Sequence, residues 1–152
     1  MDLLSIKDKH LNTLMHIAAG FGRLKSVQAL MKLCPKMIEQ LDDKNHTPID
    51  VAIKHGQLEV TKWLLSKTDR LITDSHLNTI ELNRTYDSNS TRSCLHLAAK
   101  HGENEILRFI LNEMHKKQFT MDIQDLNGNT ACHLAAKYGH LDCLQVFIFL
   151  IY

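Results

Sequence analysis

Histidine and cysteine are the residue types in this chain that could do chemistry, because they ligate metals and act as bases or nucleophiles. The sequence has 10 histidines and 4 cysteines. His96 and His101 are five positions apart, whereas two metal ligands on one helical face are four positions apart. The cysteines form no C-x-x-C pair. The sequence therefore predicts no metal site.

Two cysteines lie where a helix N-terminus could lower a thiol pKa, because Cys94 and Cys132 closely follow residues suited to cap a helix. We interpret both as small buried apolar residues. Phosphate-binding glycine loops and the G-x-S-x-G and H-E-x-x-H motifs are absent from the sequence. No regular spacing brings two carboxylates into one pocket. We therefore predict a protein that is not an enzyme and has neither catalytic residues nor cofactors.

Three of the histidines belong to a unit that the sequence repeats four times. The first position of the unit is occupied by Thr13, Thr47, Ser93 and Thr130, and the fourth by His16, Asp50, His96 and His133. The sixth position is occupied by Ala18, Ala52, Ala98 and Ala135, and the tenth by Gly22, Gly56, Gly102 and Gly139. Threonine or serine caps a helix, alanine lets two backbones approach, and glycine takes the left-handed conformation that ends a helix. Each unit is therefore predicted to be a turn, a short helix, a tight reversal and a second helix. The second helices are predicted at 24–31, 58–65, 105–111 and 141–149.

These units resemble ankyrin repeats, which are marked by the pattern T-P-L-H-x-A and a period near 33 residues. The resemblance implies an all-α ankyrin-repeat solenoid of about four helix-turn-helix repeats joined by hairpin-like turns. It predicts one domain, 1–152, with repeats at roughly 8–41, 42–75, 87–122 and 125–152. Asp50 departs from the pattern, so a hydrogen bond of the usual imidazole must be made differently or lost there.

The spacing between repeats is uneven. The step from Thr47 to Ser93 is 46 residues, against 34 for the step before it. The extra length lies in 67–92, which is rich in polar residues and is predicted to be an irregular, mobile surface insertion. The next step, 37 residues to Thr130, predicts a second helix lengthened through Lys117.

The order of these irregularities resembles the ankyrin region of the synphilin family. The off-pattern second repeat is followed by the long polar insertion, the extended helix and the turn at 125–130. This resemblance implies a cytoplasmic adaptor whose partners are alpha-synuclein and ubiquitin ligases. The coiled coil of that family is not among these residues, so functions that depend on it are not carried over.

Charge and terminal segments limit the remaining classes of partner. With 18 basic and 17 acidic residues the net charge is +1, which favours neither nucleic acid nor a membrane as the main partner. The first residues do not resemble a signal peptide, so we predict reduced thiols and a cytoplasmic location. The apolar run 146–152 is too short to span a bilayer. Either the chain continues beyond it or it is a self-association surface.

The remaining candidate for function is the surface. The two residues before each repeat glycine are predicted to face the concave side of the stack, beside the hairpin tips. The predicted partner-binding residues are Phe21, Lys54, His55, Lys100, His101, Lys137 and Tyr138 on the helices, and Lys9, His10, Lys44, Asn45, Arg92, Leu126 and Asn127 at the tips. Aromatic residues beside cations suit an interface hot spot for an acidic or aromatic segment. The alternative is that they are only a solvated face.

We therefore predict a non-catalytic protein–protein interaction module of an intracellular adaptor. One alternative is a regulatory or inhibitory subunit that masks an enzyme or a transcription factor. Another is part of an enzyme whose catalytic domain lies outside these residues.

Overall fold

The structure is a computed structural model that describes residues 6–67, 93–116, 122–125 and 127–151. The regular elements among the described residues are all helices, with no strand, which confirms the predicted all-α class. The helices are α1 Leu14–Gly20, α2 Leu24–Leu33, α3 Pro48–Lys54, α4 Leu58–Lys67, α5 Cys94–His101, α6 Asn104–Lys116, α7 Ala131–Lys137 and α8 Leu141–Ile151. A short 3-10 helix, Pro35–Glu39, follows α2.

The odd-numbered helices begin directly after the threonine or serine of each repeat, as predicted. In the second repeat the Thr47 hydroxyl accepts from the backbone N–H of Asp50 at 3.5 Å, and Pro48 occupies the first helical position, where a missing N–H costs nothing. In the third repeat the Ser93 hydroxyl accepts from the N–H of His96 at 3.3 Å. Local hydrogen bonding therefore sets where these helices start.

The second helix of each repeat begins two residues after the repeat glycine. Gly102, with φ of 76°, is the left-handed residue that ends α5. The observed second helices start at or within one residue of the predicted positions and extend further at their ends. The predicted lengthening of α6 is confirmed to Lys116, and Lys117 lies outside the described residues.

The chain forms two compact units, Met1–Lys67 and Thr68–Tyr152. In the first unit α1 packs on α2 and α3, and α3 packs on α4. Its core contains Met15, Val27, Ile49, Ile53 and Leu64, none more than 1 % exposed. A Cβ atom on Gly20 would lie 3.0 Å from Val51 Cγ1, so the small residue permits the close approach of α1 and α3.

In the second unit α5 packs on α6 and α7, and α8 packs on α6 and α7. The largest group of buried long side chains is that of α6: Ile106, Leu107, Ile110, Leu111 and Met114. The predicted repeat boundaries and single domain stay predictions. The proposed insertion lies outside the described residues, except for Lys67, which ends α4.

The apolar C-terminal run lies in α8 as far as that helix is described. Val146 and Phe147 are buried, whereas Ile148 and Phe149 are exposed. The suggested self-association through this end stays a prediction. Among the helices described, none is both long and apolar enough to cross a membrane.

Candidate partner-binding groove

An aspartate shapes each hairpin turn that the structure describes. The carboxylates of Asp8, Asp42 and Asp125 each accept from the backbone N–H groups two and four residues later, at 2.8 or 2.9 Å. The residue three positions after each aspartate has a left-handed backbone: Leu11, Asn45 and Gly128. Burial works to raise the pKa of Asp125, but its hydrogen bonds with Asn129 and Asn127 hold that pKa below its usual value. The hairpin tips are therefore fixed locally.

In each unit a buried histidine joins the start of the first helix to the hairpin that follows in the chain. The ring Nδ1 of His16 accepts from the backbone N–H of Thr13 at 3.1 Å, so its Nε2 carries the proton and donates to the carbonyl of His46 at 3.0 Å. His96 makes the same connection, from the Ser93 hydroxyl at 2.6 Å to the carbonyl of Asn129 at 3.0 Å. We call these two connections the hairpin links.

Asp50 keeps one half of this arrangement. Its carboxylate accepts from the backbone N–H and the hydroxyl of Thr47, at 2.8 and 2.6 Å. A carboxylate has no proton to donate at neutral pH, so it cannot form the second half of a hairpin link. The sequence predicted that the hydrogen bond of the usual imidazole is made differently or lost in the second repeat. The carboxylate of Asp50 replaces the imidazole at the helix cap, and the hydrogen bond that an imidazole donates to a later carbonyl is lost.

The hairpin links make stability depend on pH. Burial lowers the pKa of His16 and His96 below the ordinary 6.5, so the folded state favours neutral rings. As the pH falls below 6.5 the unfolded chain binds protons first. The stability that depends on the neutral rings is complete above pH 6.5 and is lost as the pH falls towards the folded pKa.

We therefore expect the free energy of unfolding to decrease between pH 7.5 and pH 5.5, by at most about 1.4 kcal/mol per pH unit for each histidine. Urea denaturation at several pH values measures this slope. A His96→Gln variant should show a shallower slope than the parent. Equal slopes in the two proteins would contradict a neutral, buried His96.

A groove of about 280 Å³ lies in the first unit, between its two hairpins and the inner helices α1 and α3. It is lined by His10, Asn12, His16, Ile17, Gly20, Phe21, Asp42, Asp43, Lys44, His46, Val51, Lys54 and His55. Five predicted partner-binding residues are thus brought together: His10, Phe21, Lys44, Lys54 and His55. Two others, Lys9 and Asn45, are exposed at the same hairpin tips and do not line the groove.

Both carboxylates of the groove are already engaged. Asp43 lies 3.1 Å from Nδ1 of His10, and its backbone N–H donates to the His10 carbonyl at 2.9 Å. Asp42 bonds the backbone of its own hairpin and lies 3.3 Å from Nδ1 of His46. In the described part of the chain, Lys44 and Lys54 have no carboxylate within ion-pair distance. The groove lining therefore contains two carboxylates, which already have hydrogen-bond partners, and two lysines.

In the second unit two of the predicted lysines lie near Tyr138, which is 43 % exposed. The ammonium groups of Lys100 and Lys137 lie 5.7 and 5.9 Å from the centre of its ring, within the range of a cation–π interaction. His101 is half-buried at the end of α5, and Asn127 is exposed at its hairpin tip. Arg92 and Leu126 lie outside the described residues. That the predicted partner-binding residues of all four repeats form one surface stays a prediction.

Some residues of the site were not predicted. Asp42, Asp43 and His46 line the groove, although the sequence indicated only a turn there. His140 bonds the carbonyl of Lys100 through Nε2 at 2.9 Å and packs against the turn at Gly102. The equivalent positions of the other repeats hold arginine, glutamine and glutamate, so the repeat pattern carried no signal for His140.

Cys94 and Cys132 were predicted to be buried, but both are half-buried, whereas Cys143 is buried. Burial raises the pKa of the Cys132 and Cys143 thiols, which is opposite to the effect of a helix N-terminus. Over the ranges that the structure covers, no three His, Cys, Asp or Glu side chains are grouped so as to hold a metal ion.

A family model describing ankyrin repeats in three copies matches residues 2–75 and 69–150. Because these matches cover nearly all of the sequence, the chain belongs to the ankyrin-repeat family. Ankyrin repeats are typically non-catalytic and generally mediate protein–protein interaction.

Similar proteins include synphilin-1 of Mus musculus, which is 32% identical over 97% of this chain and 14% of the relative. A Caenorhabditis elegans homolog of transient receptor potential cation channel subfamily A member 1 is 27% identical, over 96% of this chain and 10% of the relative. The Homo sapiens channel of that name is 26% identical, over 88% of this chain and 11% of the relative. The chain thus spans less than one sixth of each of these relatives.

Proposed function

We propose that the chain is the partner-binding module of an intracellular adaptor of the synphilin type, with alpha-synuclein and ubiquitin ligases as partners. The similarity to synphilin-1 over 97% of this chain supports the choice of partners. The observation that carries the proposal is the groove of the first unit, where five residues predicted from the sequence line one concave surface. An ankyrin module with such a surface needs no catalytic group.

Two exposed aromatic residues are the proposed contact points, one in each unit. Phe21 is 69 % exposed and Tyr138 is 43 % exposed, and each directly follows the first helix of its repeat. Both have cationic side chains nearby, since Lys54 lines the groove with Phe21 and two lysines approach Tyr138. Aromatic rings in such settings are the residues that dominate binding energy at many interfaces.

We expect replacement of Phe21 and Tyr138 by alanine to weaken binding of alpha-synuclein about thirtyfold, equivalent to about 2 kcal/mol. The unfolding free energy should change by about 0.5 kcal/mol or less for each replacement, because both side chains lie on the surface. Calorimetric titration of the whole chain measures the affinity. A matched control replaces Leu33 and Leu141, which are 67 % and 64 % exposed and lie on second helices, with alanine.

The control variant should bind as tightly as the parent. Equal affinity of the aromatic variant and the parent would show that recognition lies elsewhere on the surface. Failure of the parent to bind either alpha-synuclein or a ubiquitin ligase would contradict the adaptor assignment. A regulatory subunit that masks an enzyme or a transcription factor would use the same surface, so the same variants test that alternative with another partner.

A further inference from the structure

We propose that a second copy of the chain binds to the exposed side of α8, so that two copies form a reversible dimer about a twofold axis near Gln145. The surface concerned consists of four exposed residues of α8, which we call the outer face: Leu141, Gln145, Ile148 and Phe149. The inference is independent of the partner-binding residues proposed above. It is carried by the composition of the outer face and by the symmetry of its sequence.

α8 is apolar on its inner side and on most of its outer face. Cys143, Val146 and Phe147 are buried, and the helix packs on α6 and α7. The three apolar residues of the outer face are 64, 56 and 73 % exposed. Positions 141, 145, 148 and 149 follow the helical period, so these side chains lie on one side of the helix. A helix that is apolar all round is normally buried, so covering the outer face is favourable.

The outer face carries no charge that could select a charged partner. Asp142 is the one charged residue in 141–151, and it is not part of the face. Gln145 is the one polar member of the face, and its amide both donates and accepts hydrogen bonds. A face of this kind is matched by another neutral, apolar helix surface with an amide at its centre. The α8 helix of a second copy provides that surface.

The sequence of the outer face is symmetric about Gln145. Leu141 and Phe149 lie four positions on either side of it, which is about 6 Å in each direction along the helix axis. If two α8 helices pair antiparallel about a twofold axis at Gln145, Leu141 of each copy meets Phe149 of the other. The two Gln145 amides then meet at the axis, where each donates to the other. The Asp142 carboxylates stay about 9 Å apart along the axis, so like charges are not brought together. A twofold contact requires a self-complementary patch of this kind.

The size of the outer face predicts a weak dimer. Its three exposed apolar side chains present roughly 400 Å² to solvent, a patch size that often marks an interaction site. Two such faces bury less than about 1,200 Å² in total, which is typical of transient contacts. The dimer should therefore form at high protein concentration and dissociate on dilution.

Sedimentation equilibrium of the whole chain, from about 5 to about 500 μM, covers the range in which contacts of this size associate. The average mass should rise from that of one copy towards that of two. A Gln145→Glu variant should associate at least about tenfold more weakly, because two carboxylates meet at the axis. The matched control is Ser26→Glu, which adds the same charge to an exposed position of α2 in the first unit. It should associate like the parent.

A charge exchange tests the twofold axis itself. Gln145→Lys alone should also associate at least about tenfold more weakly, whereas an equimolar mixture of Gln145→Glu and Gln145→Lys should associate at least as tightly as the parent. Urea denaturation should show unchanged stability in both variants, because Gln145 is exposed. The inference is overturned if the parent stays monomeric at every concentration or if Gln145→Glu associates like the parent. It is also overturned if the mixture associates no more tightly than either variant alone.

Discussion

Replacing His96 with alanine is expected to lower the free energy of unfolding by about 3 kcal/mol. The ring is fully buried and connects the Ser93 hydroxyl to the carbonyl of Asn129. Alanine leaves that carbonyl without its donor, which costs about 1–3 kcal/mol, and removes a packed ring from the interior. Urea denaturation followed by circular dichroism measures the loss.

The matched control for this prediction is His133→Ala. His133 occupies the same repeat position and contacts the hydroxyl of Thr130 at 2.8 Å. It is exposed, however, and within the described part of the chain its Nε2 reaches no carbonyl. We expect a loss of less than about 1 kcal/mol. Similar losses at His96 and His133 would show that the hairpin link contributes little and that only the cap matters.

Replacing Gly102 with valine should lower the free energy of unfolding by about 4 kcal/mol. The backbone at Gly102 is left-handed, with φ of 76°, where a β-branched residue is strained by about 2 kcal/mol. In addition, a Cβ atom there would lie 2.6 Å from Nδ1 of His140. The imidazole must then move and give up its bond to the carbonyl of Lys100.

Gly139→Val separates these two effects. Gly139 has the same φ of 76°, and a Cβ atom there meets no other atom within 4 Å. Its cost should therefore be the backbone strain alone, about 2 kcal/mol. Both variants are compared with the parent by urea denaturation. A Gly102→Val/His140→Ala double variant should lose less unfolding free energy than the sum of the losses in the two single variants. Equal costs at Gly102 and Gly139 would refute the proposed clash.

The repeat positions were enough to predict where the helices begin, because a capping hydroxyl and a left-handed glycine act over a few residues. The predicted ends of the second helices were less accurate, because the residues that follow positions 31, 65 and 111 share no pattern among the repeats. Pro35, which is not part of the repeat pattern, begins a 3-10 helix. Local signals thus determined where the helices begin and left their ends unspecified.

The site was only partly predictable for a related reason. Phe21 and His55 were found because they precede the repeat glycines, and the structure places both on one groove. Asp43 was not found, since its role depends on His10, 33 positions away. The sequence also predicted one role for His96 and His133, although only the first is buried. Burial depends on what packs beside a residue, and a repeat pattern does not contain that information.

The hairpin links also determine how much of the chain must be synthesised on the ribosome before each unit can form its link. They join residues 30 and 33 positions apart, each pair inside one unit. At about 5–20 residues per second, the carbonyl of His46 is made roughly 2–6 s after the ring of His16. Until then the imidazole of α1 keeps its Nε2 hydrated. Each link requires only that the hairpin carrying its carbonyl has been synthesised, and neither link requires a residue of the other unit.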